Sequence, residues 1–207
     1  IEATIKRRSL RHFGVSFEEV DVSFGSITGA NHILILIDDR SAHQSIDWSK
    51  LPERFFAKHP FIQAWLSDGN YDAWQNQYDP FFYEKDGRPY DHFKLIPNGY
   101  SSPLDRMVLD ISDNPGRRVI RRSKGFVEVI AAQMWVGEEF WRRAETDNGD
   151  ILAKLPGRHE HLENGVTYLH FSDDLFTEKT DQEWIRELRN TLYPNSPGGF
   201  KYSPGYC

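Results

Sequence analysis

Residues 165–192 decide the fold class, because clear strand and helix signals follow one another there. The stretch GVTYLHF (165–171) is rich in β-branched and aromatic side chains, which is typical of a strand. The stretch TDQE (180–183) has the capping-box pattern, in which a threonine hydroxyl and a glutamate carboxylate each accept an N–H at a helix start. The predicted helix that follows carries one apolar stripe, formed by Trp184, Ile185, Leu188 and Leu192. This end of the chain predicts a strand followed by an amphipathic helix.

The N-terminal half gives strand signals first and helix signals afterwards. Residues 15–24 alternate loosely and residues 33–37 are continuously apolar, which predicts two adjacent strands. Residues 51–66 have apolar side chains near helical spacing and predict two short helices that end at Asp68-Gly69. Tyr71, Trp74 and Tyr78 predict a further helical turn that ends before Pro80.

The middle of the chain predicts short strands separated by turns. Residues 81–99 contain two turn signatures and fit an aromatic-rich loop or hairpin. Residues 104–111, 117–122 and 126–130 each fit a strand, whereas residues 133–144 fit either a continued strand or a helix. Strands and helices without a regular βα repeat predict an α+β fold, with helices packed on one face of a mainly antiparallel sheet. We expect one domain over residues 1–193 and a Pro/Gly-rich tail over residues 194–207.

The composition excludes several classes of protein. The chain has 207 residues, 39% of them hydrophobic and 14% aromatic, so it is not a disordered chain. Its longest apolar run, residues 33–37, is far too short to span a bilayer, so no membrane association is predicted. The single cysteine, Cys207, allows no internal disulfide, and residues 1–8 lack the apolar region of a signal peptide. These features predict a cytoplasmic location.

The formal net charge of −6 favours basic or neutral partners over nucleic acid. Residues 138–187 concentrate the acidity, with 13 acidic and six basic residues. A basic run, residues 117–124, precedes this region and is interpreted as a solvated hairpin or strand edge.

One segment is the strongest candidate for metal chemistry. His159, His161 and Glu163 have ligand chemistry, but two imidazoles at i and i+2 face the same way only on a strand. The segment lies between Pro156-Gly157 and Asn164-Gly165, which favours a solvated turn. Asp38-Asp39 follows an apolar strand and is a weaker candidate for a Mg²⁺ site. Serine-nucleophile, P-loop and dinucleotide fingerprints are absent, and no cofactor is predicted.

Aromatic side chains crowd two acidic segments of the sequence. Most of these rings are expected in the core, and the remainder would be anchors on an exposed surface. Such anchors ringed by carboxylates suit the binding of a basic protein. The candidate partner-binding residues are Trp74, Tyr78, Trp135, Glu138, Glu139, Trp141, Asp173 and Asp174.

The chain resembles bacterial polymorphic-toxin immunity proteins, in particular the immunity-52 group. The resemblance rests on LPERF (51–55) through WLSDG (65–69), on Trp135 with Glu138-Glu139, on GVTYLHFSDDLF (165–176) and on LRNTL (188–192). It implies an α+β protein without catalytic activity that binds a cognate toxin, usually a nuclease effector delivered by contact-dependent or type VI secretion. The basic run at residues 117–124 departs from what the group leads us to expect.

Two functions therefore stand as hypotheses. The first is a toxin-neutralising immunity protein with no enzymatic activity, whose partner is a toxin with a basic surface. The alternative is a metal-assisted hydrolase that uses His159 and His161 with Glu163 or the Asp38-Asp39 pair. The sequence does not determine the oligomeric state under either hypothesis.

Overall fold

The fold is α+β and its sheets are antiparallel. The computed structural model describes residues 12–16, 20–27, 32–40, 50, 61–162 and 165–196. The strands are β1 (His12–Ser16), β2 (Val20–Ile27), β3 (His32–Asp39), β4 (Gln63–Leu66), β5 (Leu95–Pro97), β6 (Met107–Leu109), β7 (Val119–Arg121), β8 (Phe126–Glu128), β9 (Gln133–Val136), β10 (Arg158–His161) and β11 (Thr167–His170). The helices are α1 (Gly69–Asn76), α2 (Pro80–Lys85), α3 (Glu138–Ala144), α4 (Asn148–Leu152) and α5 (Gln182–Leu192).

The main sheet has four strands in the order β10-β11-β9-β4. Met134 of β9 pairs with Leu169 of β11, so both side chains point to the same face. Helices cover that face: Phe140 of α3, Ile151 of α4 and Leu188 of α5 belong to the same buried core as these two residues. The expected packing of helices against one face is therefore confirmed for the main sheet.

The remaining strands form smaller sheets. β1, β2 and β3 make an antiparallel meander, while β5–β6 and β7–β8 are two-stranded hairpins. The strands predicted at residues 104–111, 117–122 and 126–130 are present, although each is only three residues long.

The helices predicted over residues 51–66 are wrong where the structure describes that segment. Residues 63–66 form the edge strand β4, which pairs with β9 through Ala64 opposite Trp135. Hydrogen bonding to a neighbouring strand thus overrides a local pattern that also fits a helix. Asp68 starts a helix rather than ending one, because its side chain accepts from the Tyr71 N–H as the N-cap of α1. Residues 51–60 lie outside the described residues.

Two further segments differ from expectation at their boundaries. Residues 80–85 form helix α2 instead of a loop, with Pro80 in the first turn and the Asp79 side chain accepting from the Phe81 N–H. Residues 133–144 contain both predicted alternatives, strand β9 and then helix α3, separated by the buried Gly137.

The C-terminal helix carries the predicted stripe but a different cap. Ile185, Leu188 and Leu192 are fully buried. The N-cap is Asp181, whose side chain accepts from the backbone N–H groups of Glu183 and Trp184. The Thr180 hydroxyl instead accepts from the Thr177 N–H. The predicted capping box of Thr180 and Glu183 is therefore wrong, and the N-cap lies one residue later.

A buried ionic cluster ties the β7–β8 hairpin to α5. Glu128 is 3% exposed and receives two hydrogen bonds from Arg121, of 2.5 and 2.9 Å, and one of 2.8 Å from the Ser196 hydroxyl. Arg189 is 4% exposed and donates to the backbone oxygens of Pro115 and Arg117. Burial lowers the pKa of Arg189 to about 10, and the neighbouring Arg117 acts in the same direction.

The interpretation of residues 117–124 as a solvated hairpin therefore needs a correction. The hairpin is present, and Arg118 and Arg122 are exposed. Arg121, in contrast, turns its guanidinium inward to Glu128, because a buried carboxylate requires a paired cation. Ser196, in the segment predicted as a surface tail, is bonded to the same carboxylate.

Candidate protein-binding surface

Two of the predicted surface anchors lie in the core. Trp135 is 2% exposed and stacks on Tyr168, with ring centroids 4.9 Å apart. Trp141 is 6% exposed and packs edge-on against Phe140 at 5.2 Å. The expectation that these indoles are exposed is wrong, because β9 is covered on both faces and α3 turns Trp141 toward the main core.

Trp74 and Tyr78 are half-buried and belong to a second, smaller core. They pack around Tyr83, Leu109 and Ile111 beneath helix α2. The Trp74 ring lies 4.9 Å from that of Tyr83, and its face is covered by the Arg88 guanidinium at 4.0 Å. These two rings therefore pack mainly against other side chains of this core instead of projecting from the surface as binding anchors.

The predicted acidic residues lie at or near the surface. Glu138 is exposed, whereas Glu139 is held between Arg142 and Arg143. These hydrogen bonds lower the pKa of Glu139 to about 2. Asp173 is 88% exposed and lies 3.0 Å from His170 Nε2, and Asp174 is exposed beside it. Exposed carboxylates of this kind can attract a basic partner over the Debye length.

The segment expected as a solvated turn at residues 158–161 is the strand β10. His159 pairs with Leu169 and His161 with Thr167, so both imidazoles point to one face of the sheet. Glu163 lies outside the described residues. Among the residues that the structure describes, no three His, Cys, Asp or Glu side chains come together as a metal site.

Asp38 and Asp39 are consecutive residues within β3. Successive side chains of a strand point to opposite faces, so these two carboxylates do not converge on one cation. Neither part of the hydrolase hypothesis gains a complete ligand set from the described residues, and that hypothesis remains a prediction.

Most of the large exposed apolar side chains fall in one region, and none of them is among the predicted partner-binding residues. Five of the six such side chains identified in the described residues fall within residues 81–107, and we call them the α2–hairpin patch: Phe81 (61% exposed), Phe82 (44%), Leu95 (46%), Leu104 (66%) and Met107 (48%). The sixth, Leu36, lies on β3. Exposed apolar side chains are ordinary when scattered, but a concentration of them marks an interaction site.

Polar contacts link the two segments that carry this patch. Arg106 Nη1 donates to Asp79 Oδ2 at 2.8 Å, which brings the residue before Met107 to the N-cap of α2. The Leu109 N–H donates to the backbone oxygen of Tyr78 at 2.8 Å and anchors β6 to the segment before α2. On α2, the Phe81 and Phe82 rings touch edge-on at 5.5 Å.

The segment that carries the α2–hairpin patch holds equal numbers of acidic and basic residues, and all four of its carboxylates are exposed. Four exposed carboxylates lie in its two elements and connecting loops, at Glu84, Asp86, Asp91 and Asp105. The basic residues of the same segment are Lys85, Arg88, Lys94 and Arg106. Arg88 is paired with Glu178 and Arg106 with Asp79, so much of the local positive charge is already neutralised.

No family model, curated protein or solved structure matches this chain. Within the described residues, none of the helices has the length and apolar composition needed to span a bilayer.

Proposed function

We propose that this chain is an immunity-type inhibitor that binds a basic protein toxin in the cytoplasm and has no enzymatic activity of its own. The observation that carries the proposal is the α2–hairpin patch, an exposed apolar surface in a segment that also carries four exposed carboxylates. Apolar and aromatic side chains at the centre of an interface, with charged groups at its rim, are the usual anatomy of a specific protein contact.

The charge of the chain specifies the kind of partner. A net charge of −6 repels nucleic acid and membranes with anionic headgroups, and it attracts proteins with basic surfaces. A toxin that acts on a phosphate backbone needs such a basic surface to hold its substrate. An acidic inhibitor can therefore occupy that surface and exclude the substrate. The sequence resemblance to immunity proteins supports the same conclusion.

The proposal is tested with the protein encoded by the reading frame next to this gene. That protein is expressed in a bacterial host with and without this chain, and colony formation is counted. We expect the neighbouring protein to be toxic alone and harmless in the presence of this chain. A harmless neighbour, or a toxic one that this chain does not neutralise, would overturn the proposal.

The electrostatic part of the proposal has its own test. The association rate of the two purified proteins is measured by stopped-flow fluorescence between 50 and 500 mM salt. Over this range the Debye length falls from roughly 14 to roughly 4 Å. We expect the rate to fall steeply as salt increases. A rate that does not depend on salt would contradict binding through an acidic surface.

A further inference from the structure

The outer strand of the main sheet presents two histidines in the arrangement of a metal chelate. β10 is an edge strand that pairs only with β11 in the described sheet. His159 and His161 are both exposed, and the register places them on the same face, opposite Leu169 and Thr167. Because this pairing fixes the backbone of β10, the two imidazoles can reach a shared ligand by side-chain rotation alone.

The distance between the rings suits such a ligand. Their centroids lie 6.3 Å apart with an interplanar angle of 69°. Two imidazoles bound to one tetrahedral Zn²⁺ through bonds of about 2.0–2.1 Å have centroids about 5 Å apart. The two rings therefore need to approach by about 1 Å, a movement that exposed side chains on adjacent same-face positions can make by rotation alone.

A buried hydroxyl orients one of the two rings. Thr167 Oγ1 lies 3.3 Å from His161 Nδ1, and Thr167 is 2% exposed, so its hydroxyl is held in place by the sheet. When Nδ1–H donates to that oxygen, Nε2 of His161 presents its lone pair to solvent. A hydrogen bond at the second ring nitrogen is the usual support for a metal-binding histidine.

We propose that His159 and His161 form a binding site for a divalent transition metal of the Zn²⁺, Ni²⁺ or Cu²⁺ class. Imidazole ligands select these ions over Mg²⁺ and Ca²⁺, which prefer oxygen. Within the part of the chain that the structure describes, no third His, Cys, Asp or Glu side chain joins the pair. The site is an open one on the sheet edge, separate from the α2–hairpin patch and independent of toxin binding.

Calorimetric titration of the untagged protein with NiCl₂ and with ZnCl₂ tests this site. We expect saturable binding that weakens at least tenfold in His159→Gln and in His161→Gln. His92→Gln is the matched control, because His92 is an exposed histidine in a loop outside β10, and this variant should bind within twofold of the parent. Circular dichroism checks that each variant keeps its fold.

A second measurement locates the metal directly. Paramagnetic Ni²⁺ at substoichiometric amounts should broaden the imidazole resonances of His159 and His161 first, while that of His92 stays sharp. The proposal is overturned if the parent shows no saturable binding, if both single variants bind like the parent, or if His92→Gln weakens binding as much as they do.

Discussion

Replacing Glu128 by glutamine tests the buried cluster that joins the β7–β8 hairpin to the last helix. The wild-type carboxylate is 3% exposed and accepts two hydrogen bonds from Arg121 and one from Ser196. Arg189 Nη2 lies 3.7 Å from the same carboxylate. The amide removes the negative charge and leaves Arg121 and Arg189 without a counterion in a largely dry environment.

Removal of one partner from a buried ion pair costs about 3–5 kcal/mol. The lower end applies here, because the Arg121 side chain is 22% exposed and reaches water, and because a glutamine oxygen still accepts one hydrogen bond. We therefore expect a loss of about 3 kcal/mol in the free energy of unfolding. For a chain of this length that loss corresponds to a fall in Tm of roughly 6–12 °C.

Urea denaturation followed by tryptophan fluorescence, together with calorimetric Tm, measures the effect. Glu139→Gln is the control, because Glu139 also pairs with two arginines but lies at the surface, where such pairs contribute less than about 1 kcal/mol. If Glu128→Gln loses no more stability than this control, the buried cluster does not stabilise the fold as argued.

Three smaller predictions test individual contacts. Burial raises the pKa of Tyr71 to about 12. The stability that the neutral phenol contributes to the folded state is therefore fully present below pH 10 and is lost as the pH rises toward 12. Tyr71→Phe should lower the free energy of unfolding by about 1 kcal/mol at pH 8, because the hydrogen bond to Gln182 is lost. Between pH 10 and 12 the stability of this variant should fall less than that of the parent. An equal fall in stability would contradict this prediction. Gly137→Ala should cost about 1–3 kcal/mol in urea unfolding, because its Cβ would overlap the backbone oxygen of Phe61, and a neutral effect would refute that close approach. Asp181→Ala should cost about 1 kcal/mol as the loss of an N-cap, and no measurable loss would argue against this cap assignment.

The sequence predicted elements whose local pattern and tertiary environment agree. In β11, the β-branched and aromatic composition of residues 165–171 agrees with the observed strand, and in α5 the apolar stripe matches the buried face. β4 was missed because residues 61–66 also fit helical spacing, and only pairing with the distant β9 decides between the two.

The candidate site was harder to predict for a related reason. Trp135 and Phe81 are both aromatic residues in mixed surroundings, yet one is 2% and the other 61% exposed. A sequence pattern gives the apolar character of a side chain, but the elements that cover it come from distant parts of the chain. The acidic surface, in contrast, follows from composition, because charged side chains such as Glu138 and Asp173 remain solvated in almost any fold.

The affinity of the α2–hairpin patch for the proposed toxin partner tests the central claim most directly. Burial of the exposed parts of Phe81 and Met107 in an interface is worth about 1–2 kcal/mol each. We expect the double variant Phe81→Ser/Met107→Ser to bind the toxin roughly a hundredfold more weakly in calorimetric titration. Leu36→Ser removes a similarly exposed side chain outside the patch and should bind within threefold of the parent. Full affinity in the double variant, with the fold intact, would contradict the account.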